Sequence, residues 1–100
     1  MIEKYKNLIE EKGVSLYEIG VSGVAFRADD ALLAIELIKE AGAVIYGGDV
    51  INFTDNKPDM GHDNWSCDER DFLTVSSKYI TSYRETNGED FLYQLVSTLD

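Results

Sequence analysis

Several things are scarce in this chain of 100 residues, and each scarcity excludes something. There is one cysteine, Cys67, so no internal disulfide can form. That usage suits a reducing compartment. There is one histidine, His62, and no CxxC or HxxxH spacing for structural zinc. Basic residues are few: nine Lys plus Arg stand against 19 Asp plus Glu, a formal charge of -10. Phosphate backbones need a basic patch, so nucleic acid is not an expected partner. No long apolar run exists, so neither a secretory signal nor a membrane span is expected, and the expected location is the cytoplasm. There is one proline, Pro58, and there are no repeats or low-complexity segments to divide the chain. One domain over 1–100 is expected.

What is present is a 44% hydrophobic fraction in periodic segments. Ile2, Tyr5, Leu8 and Ile9 share a helical face, which predicts a helix over 2–12 stopped by Gly13. Ser15 and Glu18 have capping-box spacing, so a helical turn is expected there. Val24 to Phe26 reads as a short strand. Asp29 and Asp30 open a helix over 29–41, whose apolar arc runs from Ala31 to Ala41. Leu32 falls on its polar side. Ala43 to Tyr46 and Val50 to Phe53 read as strand. The glycines between them, Gly47 and Gly48, fit a hairpin turn or a bulge in one bent strand, and the bulge is preferred because hairpin arms of four residues are short. A turn is expected over 54–57 and a loop over 58–61. Asn64-Trp65 reads as an edge strand. Ser66 and Glu69 again have capping-box spacing, predicting a helix over 69–86 with Phe72, Val75, Ser76, Tyr79, Ile80 and Tyr83 on one arc. Residues 91–98 fit either a helix or a strand buried on both faces. Length and composition favour a strand placed centrally. The fold class is α+β: a small sheet of about four to five strands with helices packed against it.

Candidate chemistry is sparse. His62 and Cys67 lie near acids, but no third orienting group completes a nucleophile. Asp55, Asp59 and Asp63 are spaced by four, not by the two of a calcium loop. Gly47-Gly48 is followed by an acid, which disfavours phosphate. No metal and no cofactor is expected. The charge pattern says more. Residues 55–71 hold six acids (Asp55, Asp59, Asp63, Asp68, Glu69 and Asp71) against Lys57 and Arg70. Asp68, Glu69 and Asp71 suit a helix start, and Asp55 and Asp59 suit turns. Asp49 and Asp63 are less easily assigned to structure. Trp65 has two readings, a cap on the core or an exposed anchor. The candidate interface is Asp49, Asp55, Asp59, Asp63 and Trp65.

The segments Gly42-Ala-Val-Ile-Tyr-Gly-Gly-Asp-Val and Asp63-Asn-Trp65, followed by a helix containing Tyr79-Ile80, resemble a family of bacterial immunity proteins. These are the cytoplasmic partners of polymorphic toxins, and the family is number forty in that classification. The resemblance runs from about Gly23 onward. Ile51 stands where the family pattern often has an aromatic. The resemblance implies a non-enzymatic inhibitor that binds one toxin domain stoichiometrically. Many such toxins are nucleases with basic clefts, which suits an acidic partner. Two other readings stand beside it: a small metal-dependent enzyme or regulator using His62 and Cys67, and an acidic adaptor for another basic protein.

Overall fold

A computed structural model describes residues 2–61 and 63–99. In chain order the elements are α1 (Ile2–Lys12), β1 (Val14–Ser15), a 3₁₀ turn (Tyr17–Ile19), β2 (Val24–Ala25), α2 (Ala28–Glu40), β3 (Ile45–Thr54), β4 (Lys57–Asp59), β5 (Asn64–Ser66), α3 (Phe72–Asn87) and β6 (Phe91–Ser97). The α+β class and the helices packed on a small sheet are as the sequence predicts. All strand pairings are antiparallel.

β3 is the axis. It pairs with β6 along one edge, and with β4 and then β5 along the other. The tail is therefore strand and not helix. β6 in turn meets the small β1–β2 sheet through a bridge between Phe26 and Tyr93. This makes β6 internal at its first half, which is why Leu92 and Tyr93 are both fully buried although they point to opposite faces. On one face Val50, Tyr93, Leu95 and Trp65 pack under the helices, with Ile35, Ile38 and Ile80. On the other, Ile51, Phe53 and Leu92 pack under Leu16 and Ala25. The chain between α1 and α2 thus covers the second face of the sheet.

The glycine pair lies within one continuous strand. Register slips between Ile45 and Gly47, a bulge that leaves Tyr46 unmatched. Gly47 sits at φ 150°, a conformation that residues with a Cβ rarely adopt. The β3–β4 turn places Asp55 and Asn56 at φ 54° and 59°, the left-handed pair of a tight hairpin.

Three local readings are corrected. α3 begins at Phe72 rather than near 69. Asp68 accepts from the Arg70 N–H at 2.9 Å, and Asp71 accepts from the Asp68 N–H at 3.0 Å. These side-chain bonds hold a turn that competes with the helix, so the Ser66 capping box is not used. Lys57–Asp59 is strand, because the left-handed turn folds it back onto β3. Leu32 is half-buried against the core, and Leu33 is the exposed leucine of α2.

Arg84 ties the helices together. Its guanidinium lies 2.6 Å from Asp29 at the start of α2 and 2.6 Å from Glu89 beyond α3. The bond holds the Asp29 carboxyl below the usual carboxylate range.

Gly48 offers the sharpest stability test. A Cβ there would overlap the Trp65 ring and the Gln94 carbonyl. Gly48→Ala is expected to lower stability by roughly 1–3 kcal/mol through overpacking. A urea unfolding midpoint checks this, with an unchanged m-value showing that the fold is retained.

Candidate functional site

Asp49, Asp59 and Asp63 lie on or beside a short path, residues 59–61 and 63–65, that folds back against β3. Gly61 lies so close to the Val50 carbonyl that no side chain fits. The Asn52 side-chain amide donates to the Met60 carbonyl at 3.0 Å, and the Val50 N–H donates to the Asp63 carbonyl at 2.8 Å. The stretch is therefore pinned at both ends of its crossing.

Asp63 is fixed twice. Besides its main-chain bond, its carboxylate accepts from the Tyr83 hydroxyl at 2.7 Å. Tyr83 belongs to a ladder of rings on α3. Trp65 stacks on Tyr79 with centroids 4.7 Å apart, and Tyr79 on Tyr83 at 5.9 Å. Tyr83 then meets Phe91 and Tyr93 edge-on. The ladder carries the position of α3 to the loop.

Asp49 lies on β3 opposite Asn64 on β5 and Gln94 on β6. Paired residues share a face of the sheet, so these three polar groups lie together on the face away from the helices. Asp49, Asp63, Asn64 and Gln94, with Met60 and Val21, line a cleft of about 230 Å³. Asp59 adjoins it and accepts from the Met60 N–H at 2.8 Å. Asp55 is not among the lining residues. It holds the hairpin tip, where its left-handed φ is its structural role. Asp49 and Asp63 thus line one cleft, with the Asp63 carboxylate turned to Tyr83 on the helix side; Asp59 is next to Met60 of that lining, and Asp55 lies apart.

Trp65 is only 7% exposed. Its indole lies over Gly48, and its N–H donates to Ser76 at 2.9 Å. Of its two readings, the cap on the core fits this placement and the exposed anchor does not. Exposed apolar groups near the acids are others: Met60, 56% exposed, and Tyr17, 85% exposed on a turn that packs beside β4. Sequence reading missed both. A signal existed, since Leu16 and Ile19 flank Tyr17 and face inward, which leaves the tyrosine outward.

Cys67 is engaged structurally. Its thiol donates to the Ile45 carbonyl at 3.3 Å and lies 3.6 Å from the Ser76 hydroxyl. Burial pushes the thiol pKa up, with Asp71 and Asp68 adding to it, the reverse of an activated thiolate. His62 lies outside the described residues. Among the described residues, no three His, Cys, Asp or Glu side chains converge as a metal site would require.

The family model for Immunity protein 40 fits residues 15–97, and the chain belongs to that family. Membership implies an immunity role, the neutralisation of a toxin protein. No curated protein and no solved structure matches. Among the described residues, no helix is long and apolar enough to cross a membrane.

The ring ladder has a pH signature. Burial first, and then the Asp63 carboxylate, push the Tyr83 phenol up to about 12. Burial and the charge of Glu89 push Tyr93 up to about 12 as well, and its hydroxyl is buried without a hydrogen-bond partner among the described residues. Both phenols stay neutral in the fold where the unfolded chain would release protons, above the ordinary value of 10.0. Their contribution is complete below about pH 10 and is lost as pH rises through about 12. Urea unfolding across that interval should show stability falling, and Tyr83→Phe should flatten part of the fall. An identical slope in the variant would remove Tyr83 from the account.

Proposed function

We propose that this protein neutralises its toxin by stoichiometric binding through the acidic cleft and its rim, against a basic surface on the toxin. The observation that carries this is that Asp49, Asp63 and the exposed Met60 line one cleft, with Asp59 next to Met60 and Tyr17 exposed on the turn beside β4. Carboxylates beside exposed apolar side chains suit a protein interface, where charge steers approach and aromatics anchor. A net charge of -10 extends the attraction beyond contact range. A nuclease, whose substrate cleft must be basic, fits this surface best, and an acidic chain has no attraction for nucleic acid itself. Binding takes place in the cytoplasm. Asp55 contributes to the field from the hairpin tip, and Trp65 supports the rim from within.

The test is binding kinetics against the toxin domain that this protein neutralises. Asp49→Lys and Asp59→Lys should slow association about tenfold at low salt and much less at high salt, as screening predicts. Tyr17→Ala should instead speed dissociation and cost ~2 kcal/mol of affinity. Trp65→Ala should lower stability by roughly 3–5 kcal/mol, as loss of a buried aromatic does. Parental association rates for both acid reversals at both salts would reduce the rim to a solvated surface.

A further inference from the structure

The outer edge of β6 is zipped to the neighbouring strand at one point. Phe26 and Tyr93 exchange both main-chain hydrogen bonds, at 3.0 and 2.7 Å. In an antiparallel register the next bonded pair along would be Val24 with Leu95. Among the described residues the ladder stops before that pair is made. Main-chain groups alternate sides along a strand, so those of Val24 and Leu95 point across the gap towards each other. The strands splay around a groove of about 610 Å³, walled by Val24, Leu95 and Val96 and, from α1, by Tyr5 and Ile9. Unpaired strand edges are templates for another strand.

This groove adjoins the acidic cleft. Val21 and Gln94 line both, and the Gln94 amide donates to the Ser22 carbonyl at 3.0 Å, which fixes the shared wall. Val96, on the cleft's face of β6, is 48% exposed.

We infer that the groove takes an extended segment of the toxin, added as a strand against Leu95. Its side chains would be apolar at alternate positions, with a lysine or arginine at the end nearest Gln94 and Asp49. Main-chain bonds supply the docking and the alternate side chains the selectivity. The inference rests on the toxin-binding reading above. Charge favours that partner over a second copy, because two chains of net charge -10 repel each other.

The experiment uses the full chain with the toxin domain that it neutralises. Hydrogen exchange at the Val24 and Leu95 amides should slow at least about tenfold on complex formation. Val96→Lys should weaken binding by at least about tenfold, with thermal unfolding as the folding control. If Asp49→Lys weakens binding while Val96→Lys binds as the parent and neither amide is protected, the groove assignment is overturned and the acidic rim stands. If both amides are protected while Asp49→Lys binds as the parent, the groove stands and the rim reading falls. Protection of both amides in the isolated protein at high concentration would assign the groove to a second copy and overturn the proposal.

Discussion

A tryptophan ring laid flat on a strand needs a floor without side chains, and Gly48 is that floor. With the Trp65 indole over Gly48, its N–H reaches Ser76 and its outer face meets Tyr79. Every later contact follows from this position. Tyr79 sets Tyr83, and Tyr83 holds the Asp63 carboxylate at the end of the crossing loop. A ring buried without a partner for its N–H would cost the fold the desolvation of that group, about 1–3 kcal/mol. The small serine on α3 removes that cost and lets the helix approach closely. Core packing and rim geometry are therefore one arrangement, and a change at Gly48 would reach the acids through three rings.

The sheet's two faces are covered unequally. Three helices bury one face along its length. The chain between α1 and α2 buries the other, but only over Ile51, Phe53 and Leu92. Beyond those residues the same strands carry Asp49, Gln94 and Val96, half-exposed or exposed. A bare sheet face in water must be polar or engaged by something else. Here it is polar on β3 and β5 and apolar at Val96 on β6.

Much of the framework was readable from periodicity. The apolar arc of α3 and the double-faced character of β6 follow from sequence because burial there repeats along the chain. Local competition was harder to see. The start of α3 depends on whether Ser66 or Asp68 bonds the main chain, and both have suitable spacing. Leu32 and Leu33 are neighbours, and which one faces out depends on how α2 rotates between α1 and α3. The site was half visible. The acids could be counted, but their gathering required the left-handed turn at Asp55-Asn56 and the close pass of Gly61 over Val50. Trp65 and Tyr17 show why aromatics mislead: composition does not say which ring has a glycine beneath it.

The unequal covering also bears on the proposed recognition of a basic partner, which must not cost the domain its own fold. Carboxylates placed on a mobile loop would pay an ordering cost on binding. Asp63 avoids it, since the Val50 amide and the Tyr83 hydroxyl already hold both its main chain and its side chain. Asp49 avoids it by standing on the central strand, between Asn64 and Gln94. These two acids are rigid before any partner arrives, whereas Asp55, at the hairpin tip, contributes charge without fixed geometry around the cleft. Under the proposed reading, a partner whose basic groups match these fixed acids would gain close contact, and one that matches only the overall charge would gain steering alone. Selectivity among basic proteins would then reside in the fixed pair and the groove beside it, and the rate of encounter in the charge of the whole chain.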